Sequence, residues 1–140
     1  NGVTMGFGAG LAAACSIRVA TNTTLFAMPE AKIGFFPDVG YSYHVVRSKA
    51  GVSAGAAIGV SGIAVGRNGS YGGSDLIALG IATHYVTEDK LPEVEKEILT
   101  VLNDQDIGGM VPSSSVPGTM EAATDFHKEA LFAVRRVSQR

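Results

Sequence analysis

Apolar residues run along this chain in short blocks, broken by glycine, proline and small polar groups. The spacing inside each block predicts its element. Leu91, Val94, Ile98, Val101 and Leu102 recur at three- and four-residue steps, which predicts an amphipathic helix over Lys90 to Leu102. Phe126, Ala130, Ala133, Val134 and Val137 repeat that spacing and predict a last helix from about Met120 to Val137, after a linker at Val111 to Gly118. Ile17 to Ala20, LFAM from Leu25, and Ala82 to Val86 are brief apolar runs bounded by turn formers, and read as strands. Thr21 to Thr24 turns between the first two of these. Pro29 ends the second, because it has no N–H for a ladder.

The remaining blocks are smaller. Gly6 to Ser16 is glycine-rich and then Ala/Leu-rich, a turn continuing into a short buried helix. Glu30 to Phe36 reads as a loop or a single helical turn, with Pro37-Asp38 opening a helix through Val45-Val46. Ser53 to Ser61 reads as another short helix. Gly66 to Gly73 holds four glycines in eight residues and reads as a flexible surface loop. Ser74-Asp75 starts a helix that stops at Gly80. Strands alternating with helices place the chain in the mixed α/β class.

Composition narrows the function classes. With 140 residues, 46% of them apolar, the chain has room for one core. A net charge of −2 is too weak to steer it to nucleic acid or an anionic membrane, and no apolar run has the length of a membrane span. One cysteine, Cys15, makes no internal disulfide framework, fits a reducing compartment, and reads as a small core residue. With three scattered histidines it forms no metal-ligand spacing, so no metal is expected. The opening NGVTMGFGAG reads as the end of a strand running into a turn, so a piece of a longer protein is expected.

Two features carry chemistry. The first is Gly-Phe-Gly-Ala-Gly, Gly6 to Gly10. It fits a dinucleotide fingerprint poorly, being GxGxG rather than GxGxxG. A glycine turn before a helix does, however, aim backbone N–H groups and the positive end of the helix dipole at an anion. The second is MPEAKIGFFPD, where Glu30 and Asp38 each follow a proline in apolar surroundings. Such acids fit a lined pocket that needs carboxylates, or else solvent-facing caps and surface pairs. His84, at a strand edge, reads as structural. Arg47, Lys49 and Arg67 read as surface charge, with the phosphates of a ligand as the alternative.

Together, NGVTMGFGAGL, RVAT, FAMPEAKIGFFPDVGYSY and GIATHYV resemble the crotonase (enoyl-CoA hydratase/isomerase) superfamily, and within it the 3-hydroxyisobutyryl-CoA hydrolase branch. The resemblance implies a spiral of ββα turns, of which residues 1–88 would be later turns and 89–140 a helical C-terminal region. It implies an acyl-CoA thioester substrate whose oxyanion is held by two backbone N–H groups. One falls on Phe7, flanked by Gly6 and Gly8; the other comes from an earlier loop of the family, outside this sequence. Glu30 and Asp38 take the places of the branch's two pocket acids, and Phe35, Phe36 and Val39 would wall the acyl group. Hydratases of the superfamily carry a further Glu in the helix after the glycine turn, where this sequence has Gly10. The resemblance therefore implies hydrolysis, in valine breakdown and in mitochondria. It implies no cofactor beyond the substrate's CoA, and homo-oligomer contacts through the C-terminal helices. An enoyl-CoA hydratase or isomerase, and a non-catalytic fold remnant that binds CoA or a partner, are the alternatives.

Overall fold

A computed structural model describes residues 1–49, 51–67 and 73–104, together with 128, 131, 134, 135 and 137. The chain divides into two units, Asn1–Glu88 and Asp89–Arg140.

The first unit is built on two small sheets. Strand β1 (Val3–Met5) lies parallel to β3 (Leu25–Ala27), with Val3 opposite Leu25, and β4 (Ala64–Gly66) adds to β3 antiparallel. The second sheet pairs β2 (Val19–Ala20) with β5 (His84–Tyr85), also parallel. Parallel pairs need a crossover, and helices supply it. Helix α1 (Phe7–Ala14) joins β1 to β2, and α4 (Ser74–Ala78) precedes β5. After β3 come a 3-10 helix (Pro29–Ile33), α2 (Tyr41–Val45) and α3 (Gly51–Ser61). Helix α3 packs on the 3-10 helix and on α2, and α2 packs on α1. The core gathers Ala9, Ala20, Phe26, Met28, Tyr41, Ile58, Leu76 and Ala82. All three residues of β3 are buried, which is why its run is continuously apolar rather than alternating.

The turn between β2 and β3 is closed by threonines. Thr24 N–H donates to the Thr21 carbonyl at 3.1 Å, and the Thr24 hydroxyl accepts from Thr21 N–H at 2.9 Å. Arg18 joins distant parts of the unit. Its guanidinium donates to the carbonyls of Cys15 (2.5 Å), Ile81 (2.7 Å) and Gly80 (3.3 Å). The end of α1 is thereby tied to the α4–β5 connection, where Gly80, at φ 70°, stops the helix as its residue type predicts.

Several local expectations are corrected. The glycine stretch is helix from Phe7 onward, although glycine is a poor helix former. That helix is also less buried than expected: Leu11, Ala14 and Cys15 are exposed, so Cys15 is a free surface thiol and not a core residue. Asp38 does not open α2, because Val39 (φ 46°) and Gly40 (φ 77°) intervene in left-handed conformations and Tyr41 starts the helix. Gly66 and Gly73, the ends of the expected surface loop, are buried. The strand Ala64–Gly66 was not predicted.

The second unit holds α5 (Leu91–Asp104), with Val94 fully buried. Lys128, Leu131, Val134, Arg135 and Val137 are helical, and Val134 and Val137 are buried. The expected linker at Val111 to Gly118 lies outside the described residues, as does most of the expected last helix, including Phe126, Ala130 and Ala133. No described helix is long and apolar enough to cross a membrane.

Candidate active site

Glu30 is the second residue of the 3-10 helix, with Pro29 before it at a position where a missing N–H costs nothing. The strand stop built into the sequence therefore delivers the acid straight from the end of buried β3. The side chain is buried, only 8% exposed, and its Oε2 has no hydrogen-bond partner among the described residues. A buried carboxylate oxygen without a donor is costly, and native structures retain such groups where chemistry uses them.

Its other oxygen points at the glycine turn. A Cβ placed on Gly6 would sit 3.1 Å from Glu30 Oε1, and Gly6 holds φ 52°, so glycine answers both the contact and the backbone conformation. Helix α1 begins at the next residue. Its internal ladder starts with Ala9 and Gly10 N–H donating to the Gly6 carbonyl, at 3.0 and 3.2 Å. The N–H groups of Phe7 and Gly8 precede that ladder and have no acceptor within the helix. The structure thus joins the acid at 30 to the donor-bearing turn at 6–8. The Phe7 ring is 73% exposed and leaves the turn uncovered.

The Pro37–Gly40 segment returns to the same helix. Val39 packs on buried Gly10, while Asp38 is exposed and its carbonyl accepts from Tyr41 N–H at 2.9 Å. Phe35 and Phe36 stack on each other, ring centres 4.5 Å apart, and both are exposed. Of the residues singled out in the sequence, Glu30, Gly6, Phe7 and Gly8 form one cluster. Val39 is tied to α1 through Gly10. Asp38, Phe35 and Phe36 sit at the outer edge.

Tyr41 was missed. It is buried, lies against Phe26 with ring centres 6.3 Å apart, and donates to the Gly55 carbonyl at 3.4 Å. Burial pushes its phenol up to about 12, and the negative charge of Glu30 adds to the rise. No local pattern marks it, since its approach to Glu30 is a tertiary one. An unfolded tyrosine releases its proton near 10. Between about 10 and 12 the folded chain therefore binds more protons, so its stability is complete below 10 and falls as pH climbs toward 12. Tyr41→Phe is expected to flatten that loss, as measured by urea unfolding between about pH 9 and 11, roughly one unit either side of the ordinary tyrosine value.

A separate cleft of about 280 Å³ lies behind α1, lined by Arg18, Phe26, Tyr41, His44, Arg47 and Leu76 among others, but not by Glu30, Phe7 or Asp38. Arg47 stacks 3.8 Å over the Tyr43 ring and donates to the Tyr43 carbonyl. Among the described residues no group of three His, Cys, Asp or Glu could hold a metal ion.

The enoyl-CoA hydratase/isomerase family model matches residues 1–137. The 3-hydroxyisobutyryl-CoA hydrolase of Gallus gallus mitochondria is 42% identical over 101 residues, covering 72% of this chain and 24% of the relative. A mitochondrial 3-hydroxyisobutyryl-CoA hydrolase-like protein 1 of Arabidopsis thaliana is 34% identical over 138 residues, 98% of this chain and 31% of the relative. The chain thus spans about a quarter to a third of the length of these curated relatives. Among solved structures, an enoyl-CoA hydratase from Mycobacterium avium subsp. paratuberculosis superposes with a TM-score of 0.66 at 20% identity, over 99% of this chain and 50% of that one. At that identity the likeness shows the fold, a part of the crotonase spiral.

Proposed function

The chain belongs to the enoyl-CoA hydratase/isomerase family, and from that membership we propose that it carries the acid and one oxyanion donor of an acyl-CoA thioester hydrolase. The observation that supports this most is the buried Glu30 carboxylate, which has one oxygen unpartnered and the other against the Gly6 turn. A thioester carbonyl at the start of α1 would set its oxygen on the Phe7 N–H. Charge developing there in the tetrahedral state is stabilised by a donor fixed in advance. Glu30 would then take a proton from an attacking water, or attack the carbonyl itself to give a mixed anhydride that water opens. Asp38 would contact the substrate hydroxyl or assist proton transfer to the departing thiolate. Phe35, Phe36 and Val39 would meet the acyl group. The substrate brings its own CoA, and no other cofactor enters.

The substrate class follows the relatives' names: a 3-hydroxyacyl-CoA of the 3-hydroxyisobutyryl type. Those names also support a mitochondrial setting and valine breakdown. Hydration of an enoyl-CoA is the neighbouring reading, but it uses a second acid on α1, and Gly10 is sealed by Val39. The test is thiol release from 3-hydroxyisobutyryl-CoA run beside hydration of crotonyl-CoA. Thiol release with free acid as product is expected. Hydration without thiol release would sink the reading, and CoA binding without either reaction would mark a non-catalytic member.

A further inference from the structure

The cleft behind α1 reaches into the core. It lies where α1, α2, α4 and both sheets meet, and Ala12, Ala13, Ala20 and Ala82 line it where larger side chains would fill it. Close-packed interiors leave few voids larger than a water molecule, so a space of about 280 Å³ is an exception. Phe26 and Leu76, both buried, give it an apolar floor.

The charge in the cleft has one sign. Arg18 and Arg47 line it, and no Asp or Glu does among the described residues. Neither arginine has a carboxylate partner among those residues. Arg18 is occupied by the carbonyls of Cys15, Gly80 and Ile81, where it also offsets the negative end of the α1 dipole. Arg47 differs. It is exposed, gives one N–H to the Tyr43 carbonyl, and rests its guanidinium over the Tyr43 ring. The rest of its fork is uncommitted, and such a fork pairs with a carboxylate through two parallel N–H groups.

We propose that this cleft is a second binding site, separate from the Glu30 turn, for a small monocarboxylate with an apolar body. The carboxylate meets Arg47 at the mouth, and the body lies on Phe26 and Leu76 between the alanines. One uncommitted guanidinium balances one negative charge, which suits a carboxylate better than a doubly charged phosphate. Pockets for drug-sized ligands start at about 300 Å³, so the body is a short alkyl chain or a single ring. Glu30, Phe7 and Asp38 do not line the cleft, so its occupancy is independent of the hydrolase reading.

The test uses octanoate as probe and octanol as its uncharged match, each titrated into the full chain by calorimetry. Octanoate is expected to saturate one site per chain and to bind about tenfold tighter than octanol, the size of a hydrogen bond to a charged group. Arg47→Gln is expected to erase that preference. Lys49→Gln, at an exposed cation that does not line the cleft, is expected to leave it unchanged. Ala13→Leu is expected to abolish octanoate binding while the unfolding midpoint holds, because leucine suits a helix and fills space already empty. If Ala13→Leu does not fold, the Arg47 and Lys49 variants decide alone. No saturable binding would overturn the proposal. So would equal affinities for octanoate and octanol, an equal loss in Lys49→Gln, or binding that persists in a folded Ala13→Leu. Displacement of octanoate by CoA would also overturn it, since the cleft would then belong to the thioester's own site.

Discussion

Glu30→Gln is expected to lower the rate of thiol release by about 10²- to 10⁴-fold, the range that a positioned general base supplies. The loss should fall on kcat, with KM little changed. Gln keeps the length and shape of the side chain, and an amide can sit against Gly6 as the carboxylate does, so substrate contacts survive while proton acceptance does not. The fold should survive as well. Oε2 has no protein donor among the described residues, so no internal hydrogen bond to that oxygen is broken, and removing a buried charge lifts a desolvation cost. The variant should therefore unfold at or slightly above the parent's midpoint, which separates a chemical loss from a structural one. Steady-state thiol release and a melting curve on the same preparation check both halves. An unchanged rate would remove Glu30 from the reaction. Two experiments divide the two roles left open for it: ¹⁸O from labelled water found in the Glu30 side chain after a single turnover marks nucleophilic attack, and, where the label enters the released acid alone, capture of the Glu30 acyl anhydride by hydroxylamine separates a nucleophile from a general base.

The largest structural effect is expected at Gly66. This residue ends β4 at φ 106°, a region closed to residues with a side chain, and a Cβ there would overlap the Thr24 carbonyl oxygen. That same oxygen accepts Arg67 N–H at 2.8 Å, so the clash falls on the hydrogen-bonded edge of the β3–β4 pair. Gly66→Ala thus combines a forbidden backbone conformation with a backbone–backbone overlap that no side-chain motion relieves. We expect a loss of about 4 kcal/mol or more, the range reserved for a named structural fault, measured by denaturant unfolding. Gly34→Ala is a fitting control, since Gly34 also has a positive φ (77°) but open space around its Cβ. Its cost should stay near the strain term alone, about 1 to 3 kcal/mol. Equal costs at the two sites would show that the close approach of β4 to Thr24 contributes nothing.

Much of this was legible in the residues. The apolar run of β3, the Pro29 stop and the acid behind it could be read directly, because a buried strand ended by proline leaves few places for the next side chain to go. Gly80 stopped a helix where expected, and the threonine turn fell where its residues pointed. The failures share one cause: close tertiary approach, which local propensity does not contain. GFGAG looked like a turn because glycine disfavours helix, yet Phe7–Ala14 is helical, and Val39 packs where a side chain at Gly10 would stand. Strand β4 went unread because Ala-Val-Gly has little strand character of its own and takes its conformation from pairing with β3. Asp38 looked like a cap, but a left-handed Val39 is not a conformation that any sequence rule assigns to valine. Tyr41 was overlooked for a related reason, since nothing local says that it lies near Glu30.

The exposed position of Cys15 has a consequence for how turnover is counted. The Cys15 Sγ lies at the surface beyond the end of α1, where it makes a 3.5 Å contact to the Leu11 carbonyl. A disulfide reagent that reports released CoA will report this thiol too, as one equivalent per chain present before any substrate is added. A signal that stops at that stoichiometry is the protein's own sulfur. Only thiol in excess of it, or a signal that persists in Cys15→Ser, belongs to the reaction.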